Sequence, residues 1–426
     1  VIGHGLRRLV ALAVIGAAGC AAGTQPQEVV RLWGLGREGE VVEELLGPFR
    51  AEHPELRVEV QQIPFTAAHE KLLTALIGDA APDLAQVGNT WIPEFVVLDA
   101  VAPLDAWVER SPVVRQDDYF GGVWATNVVD GGLYGVPWYV DTRLVFYRTD
   151  LLAAAGCETF PRTWERWVEC MRRVKALPGG ERFPILLPTD EWAQPVVLGL
   201  QQGATLLTED DSRAAFSSPE FARAFDFYIE IFRERLAPAL STSQIGNVYQ
   251  QFAEGRFAMY ITGPWNLGEF RRRLPPSALA VWGTAPLPAP DESWPGVSLA
   301  GGASLVVFRT SERKPAAWQV VEYLSRPEVQ LEFYRLSGDL PARVSAWSDP
   351  LLADDPQVAA FFTQLGRVQP MPRVAEWEQI ATRVFERAEE AIQGVATNEE
   401  VLAGLDRDVD RFLAKRRWVR GRVEGS

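Results

Sequence analysis

Over residues 29–87 the hydrophobic pattern changes period four times: 29–33 reads as a strand, 40–53 as an amphipathic helix, 56–62 as a strand, 67–78 as a helix and 83–87 as a strand. Strands separated by helices are not hairpin partners. They must lie in a parallel or mixed sheet with helices across its faces, which is the α/β class. A buried strand at 144–147 follows, then a helix opened by Thr163 in which Trp164, Trp167, Val168 and Met171 recur at spacings of three and four. Further strands are expected at 257–261, 279–283 and 303–307. Helices fill much of the remainder, at 219–234, 248–254, 314–324, 327–336, 376–392 and 399–415. A chain of 426 residues is long enough for two or three domains with cores of their own. No fixed-period repeat or low-complexity tract is present, which sets solenoid and fibrous architectures aside.

The first twenty residues are of another kind. Arg7 and Arg8 precede an apolar run at 9–15, and the small residues Gly16, Ala17, Ala18 and Gly19 lead to Cys20, the arrangement of a secretory signal peptide. The run is far shorter than the roughly 20 residues of a membrane span. Ala17-Ala18-Gly19-Cys20 resembles a bacterial lipoprotein cleavage box, although Ala17 stands where Leu is usual. It implies loss of residues 1–19, a lipid on Cys20, a short linker at 20–27 and a body that works outside the cytoplasm. Cleavage near Ala22 without a lipid is the other reading. Cys157 and Cys170 flank Pro161 and Thr163, and in an oxidising compartment they either bridge that corner or remain two buried thiols. Without a CxxC motif they indicate neither zinc nor thioredoxin-like chemistry.

Several classes of function are excluded or left without residues. A formal charge of −14 is unsuited to a nucleic-acid partner, and Arg271, Arg272 and Arg273 or Arg416 and Arg417 read as solvated helix faces. Only His53 and His69 lie beyond the leader, too far apart in sequence for a shared helix face, so no metal site is expected. Gly34-Leu35-Gly36-Arg37-Glu38-Gly39 follows a strand and opens a helix, as a dinucleotide fingerprint would, but the second strand ends in Gln61 and Gln62 where an acid would bind the ribose. The segment reads instead as a loop that delivers a helix N-terminus and Glu38 to the edge of a cleft. No nucleophile elbow or phosphate loop appears, and no cofactor is expected. An exported glycoside hydrolase would need two carboxylates around a scissile bond, and no specific pair stands out.

Fifteen Trp are many for this length, and aromatic rings stack on the C–H faces of sugars while acids, amides and Arg take the hydroxyls. Trp33, Trp107, Trp164, Trp167 and Trp318 read as core. Trp91, Trp192, Trp265 and Trp377 sit in loops beside polar partners and read as ligand contacts.

Two motifs then carry a resemblance. Gly135-Val136-Pro137-Trp138-Tyr139-Val140-Asp141-Thr142-Arg143, and Tyr147-Arg148-Thr149-Asp150-Leu151 with Pro161-Arg162-Thr163-Trp164, resemble the central signature of the family 1 extracellular solute-binding proteins of ABC sugar importers, of the maltose/trehalose-binding type. Phe252-Ala253-Glu254-Gly255-Arg256-Phe257, Gly263-Pro264-Trp265, Gly301-Gly302 and Gly338-Asp339-Leu340-Pro341-Ala342-Arg343 continue it in order. The resemblance implies a periplasmic-binding-protein-like α/β fold: lobe one from 28–142 and 303–345, lobe two from 143–302 and 346–426, a multi-segment hinge and a ligand cleft between them. It implies a monomer that is not an enzyme, binds a di- or oligosaccharide and delivers it to the transmembrane subunits of an ABC permease, or else presents it to a membrane receptor. Within that cleft Asp141 is the leading acceptor for sugar hydroxyls, its rival role being an ion pair with Arg143. Trp265 and Trp192 are expected to stack, Tyr139 to accompany Asp141, and Gly301 and Gly302 to let backbone approach the ligand. Glu38, Asn89, Trp91 and Arg343 are carried over by position in looser motifs. A charged ligand would need several cleft cations, and only Arg343 and Arg373 are available.

Overall fold

The computed structural model describes residues 27–180, 182–208 and 210–423, so the expected signal peptide and Cys20 lie outside the described residues. Ten strands build two sheets. The first contains β1 (Glu28–Leu35), β2 (Leu56–Ile63), β3 (Leu84–Gly88), β4 (Val136–Asp141), β9 (Gly301–Val307) and β10 (Leu340–Pro341), in the order β10-β4-β9-β3-β1-β2. The second contains β5 (Leu144–Arg148), β6 (Phe183–Leu186), β7 (Phe257–Thr262) and β8 (Trp282–Ala285), in the order β8-β5-β7-β6.

The start of the first sheet follows the sequence pattern. β1 pairs in parallel with β2 from Glu28↔Leu56 to Leu35↔Ile63, and the intervening helix Gly36–Glu52 turns Val41, Val42, Leu45, Leu46 and Phe49 onto the sheet. β3 is buried along its whole length, as befits a central strand of a mixed sheet, parallel to β1 and antiparallel to β9. β4 escapes the sequence reading because Pro137 argues against a strand. The structure resolves the conflict with a bulge: Ala303 of β9 opposes Tyr139, Ser304 opposes Pro137, and Trp138 is the extra residue. The displaced indole is buried and stacks on Phe333 at 4.3 Å.

The chain passes between the sheets three times. Asp141 ends β4 in the first sheet and Leu144 begins β5 in the second, with only Thr142 and Arg143 between them. β8 belongs to the second sheet, and Gly301 re-enters the first opposite Asp141. After β10 the chain leaves again for the helix Pro356–Leu365, where Thr284 Oγ1 donates to Gln357 O at 2.7 Å and Leu287 N to Gln364 Oε1 at 2.8 Å. Around the second sheet, this lobe is completed by helices that include Pro219–Arg233, Trp377–Ile392 and Asn398–Phe412, packed about Trp167, Phe221 and Tyr228.

Two local readings change, and one stated alternative is decided. The expected strand at 279–283 begins later, because Pro275 and Pro276 start a short helix, Pro276–Leu279, ahead of β8. The expected helix at 399–415 ends at Phe412, and a separate one runs from Ala414. Cys157 and Cys170 are joined, with Cα atoms 6.1 Å apart, tying the loop after Thr149–Ala154 to the helix Trp164–Lys175 that Thr163 caps.

Candidate functional site

A cavity of about 510 Å³ lies between the two sheets, beside the shortest of the three crossings. From the first sheet it receives the start of the helix after β1. Gly34 and Gly39 touch there so closely that a Cβ on Gly34 would stand 2.6 Å from Gly39 Cα, and this contact swings Glu38, in the first helical turn, onto the cavity wall. A chain of hydrogen bonds fixes it from behind. Leu35 N donates to Gln86 Oε1 at 2.8 Å, Gln86 Nε2 to the Tyr139 hydroxyl at 3.1 Å, and that hydroxyl to Glu38 Oε1 at 3.1 Å. Burial raises the Glu38 pKa against these bonds.

Asp339 reaches the same wall from another direction. The helix Pro327–Ser337 ends on Gly338 at φ 91°, a left-handed cap that turns Asp339 inward, where it is 5 % exposed. Burial, and after it the charge of Glu38, holds its carboxyl well above the usual range. At the crossing, Arg143 Nη1 lies 2.7 Å from both oxygens of Asp141. The second lobe adds Glu269 and Trp265, and the Arg143 guanidinium covers one face of the Trp265 ring at 4.6 Å. Gly263 leaves room for that ring, which would otherwise meet a Cβ at 1.9 Å. Trp265 remains 38 % exposed and Phe65, from the first lobe, 50 %. Glu191 approaches the crossing from the second lobe; burial raises its pKa while the Arg143 charge opposes the rise.

A slightly larger cavity, about 570 Å³, lies beside the disulfide and is lined from one lobe alone, by Arg162, Arg166, Glu169 and Arg173 among others. The cavity at the crossing, by contrast, is walled by both lobes, so a ligand there gains contacts when the lobes approach.

This fold of two lobes is shared with known proteins. Residues 34–331 match the family model of the bacterial extracellular solute-binding proteins. The chain belongs to that family. The solved structure of the sugar-binding protein MalE from the phytopathogen Xanthomonas citri is 46 % identical, with a TM-score of 0.89, over 92 % of this chain and 99 % of that one. The arabinooligosaccharide-binding protein of Halalkalibacterium halodurans is 24 % identical over 77 % of this chain and 74 % of its own length. The diacetylchitobiose binding protein DasA of Streptomyces coelicolor is 23 % identical over 76 % and 74 %.

As a member of that family the protein is a binding protein and not an enzyme, and it acts outside the cytoplasm. Among the described residues no helix is long and apolar enough to cross a membrane. Of the residues expected to meet ligand, the structure gathers Glu38, Tyr139, Asp141, Trp265 and Gly302 around this one cavity. Gly302, at φ 135°, lies where a Cβ would stand 2.2 Å from Tyr139 O. Tyr139 is placed there but gives its one hydroxyl proton to Glu38.

The others are placed elsewhere. Arg343 donates to Asp118 Oδ2 at 2.7 Å, Val113 O at 2.8 Å and Ser325 O at 2.9 Å, a clasp within the first lobe that leaves none of its charge for the cavity. Gly301 packs on the Asp141 backbone, Asn89 donates to Ala300 O at 3.3 Å, and Trp91 is buried against Phe65 and His69. Trp192 meets Trp377 edge-on at 5.3 Å, and Trp377 itself is core, because helical residues around it close over the indole. Arg373 donates to Val128 O at 3.0 Å. Sequence reasoning missed Asp339, Phe65 and Glu269. For Asp339 a signal existed, since a Gly at a helix C-terminus redirects the residue after it.

Proposed function

We propose that this protein captures a sugar of two or more rings in the cavity at the crossing and hands it to the transmembrane subunits of an ABC permease. The observation that carries the reading is a cavity of about 510 Å³ walled by both lobes and lined by the partly exposed rings of Trp265 and Phe65, one from each lobe, together with the carboxylates of Glu38, Asp141, Glu269 and Asp339. That volume suits a small ligand, the range for such sites being roughly 300–1,000 Å³. The free face of Trp265 stacks on one ring while Asp141, held by Arg143, accepts hydroxyls with its remaining lone pairs. Kinship with MalE of Xanthomonas citri, named a sugar-binding protein, supports the same class of ligand.

The lobes in this reading are 28–142 with 303–345, and 143–302 with 346–426, moving about the three crossings. Ligand touching both lobes stabilises the closed state, and the permease reads that state. Cys20 carries a lipid that tethers the monomeric body to the membrane. Isothermal calorimetry of the chain lacking residues 1–20 against maltose, maltotriose, trehalose and cellobiose tests the reading, with the recovered ligand examined by mass spectrometry. Saturable binding of an unchanged sugar is expected. Silence across these sugars and the amino sugars named below, or a cleaved product, overturns it.

A further inference from the structure

The charges around the cavity sort into pairs with a remainder. Arg143 is engaged by Asp141, Arg37 by Glu40 at 2.8 Å, and Glu269 by Arg272 and Arg273 of its own helix. Glu38 and Asp339 are left: they line the same cavity, and among the described residues neither forms an ion pair, the two cavity arginines being taken up by Asp141 and Glu40. Donors beside them are committed as well. The Tyr139 proton goes to Glu38, and the Ser337 hydroxyl, which donates to Phe333 O at 2.8 Å and accepts from Asp339 N at 3.0 Å, is the one side-chain hydrogen-bond partner that lowers the Asp339 pKa against its burial.

This part of the wall therefore presents carboxylate oxygens and few free donors. Removing two carboxylates from water without a cation is costly, and unrelieved pairs of this kind take up a proton instead. A sugar hydroxyl brings one donor together with lone pairs that must face acceptors. An ammonium brings three donors, no acceptor and the missing charge. We infer that the ligand of this cavity is an amino sugar whose ammonium group sits against Glu38 and Asp339; the inference rests on the sugar-binding reading above. The same balance excludes ligands that would put a phosphate or carboxylate at this position.

Three disaccharides share a β-1,4 skeleton and differ at C2: cellobiose carries hydroxyls, the chitosan disaccharide amines and N,N′-diacetylchitobiose acetamides. Calorimetry with the chain lacking residues 1–20, at about pH 6.5 where such amines are protonated, compares them directly. The amine is expected to bind roughly tenfold or more tighter than the other two. Asp339→Asn and Glu38→Gln are each expected to reduce that preference to a few-fold, and either suffices should the other fail to fold. Equal or tighter binding of cellobiose or the acetamide overturns the inference, as does an amine preference untouched in both variants. Binding of maltose without the amine overturns it while leaving the sugar reading intact. Silence of all three together with maltose, maltotriose and trehalose removes both.

Discussion

Asp141 and Asp339 stand on the wall of one cavity and are held in opposite ways. Asp141 ends a strand at the crossing, two residues from an Arg that reaches both of its oxygens. Asp339 follows a helix cap, is more deeply buried, and has the charge of Glu38 beside it rather than an ion-pair partner of its own. The first arrangement is complete without ligand and suits a hinge. The second is complete only when something else supplies donors or charge, and suits a binding surface. Stability and affinity should therefore respond to the two acids with opposite sign.

The largest effect is expected from Arg143→Met, which leaves Asp141 largely buried and without its cation. Breaking such a pair costs roughly 3–5 kcal/mol, and because both side chains keep some exposure the loss should fall near the lower end. Urea unfolding measures it. Asp141→Asn on top of Arg143→Met should recover most of the loss, since the charge that was stranded is gone. If the double variant is no more stable than the single one, Asp141 and Arg143 are not the completed pair described here.

Asp339→Asn should act the other way. The folded-state pKa of Asp339 is raised, so its contribution is most favourable below the ordinary carboxylate range and declines as pH rises toward the raised value. The unliganded Asn variant should match the parent near pH 4 and be more stable by roughly 1–3 kcal/mol at neutral pH and above, where folding obliges the parent either to bury the charge or to retain a proton that the unfolded chain gives up. Unfolding curves at both pH values check the sign. A loss of stability at neutral pH would show that an unseen donor already satisfies Asp339. Affinity gained by keeping a destabilising group is the usual trade at a binding site.

The two acids also show where sequence reasoning reaches and where it stops. The βαβ start of the first sheet and the placement of Glu38 at a helix start were legible because local period and a Gly-rich turn express them within a few residues, whereas the crossing beside Asp141 was implied by the family resemblance and not by any local pattern. Asp339 was not, because its meaning depends on Glu38, some 300 positions away, and nothing local distinguishes a buried acid from a solvated one. The same limit separates the tryptophans. Trp91, Trp192, Trp265 and Trp377 all sit beside polar residues in sequence, yet only Trp265 opens to the cavity, since burial is decided by which helices close over a ring. Arg343 lies in a familiar motif but answers to Asp118 and to backbone carbonyls in its own lobe. β4 was hidden by Pro137, whose effect a bulge absorbs only because β9 returns to pair with it.

A third acid joins the lobes at their rim and is expected to give the smallest effect. Thr90, just after β3, donates through Oγ1 to Glu378 Oε1 at 2.6 Å, and Glu378 belongs to the helix Trp377–Ile392 of the other lobe. Burial raises the Glu378 pKa, while Thr90 and the nearby His69 lower it. Because this bond requires the lobes to be together, Thr90→Ala should leave unfolding almost unchanged and weaken ligand binding by about 1 kcal/mol, roughly fivefold. Thr90→Ser should restore it. His69 is bonded to Glu94 at 2.7 Å, which raises its pKa, so its positive charge toward Glu378 is present below the ordinary histidine value and is lost as pH rises through the raised one. Affinity should accordingly decline on the alkaline side of that transition, and His69→Gln should flatten the decline without removing the Thr90 effect. An unaltered pH profile in His69→Gln would mean that the rim is held by the Thr90 bond alone and that the acid dependence of binding belongs to Glu38 and Asp339.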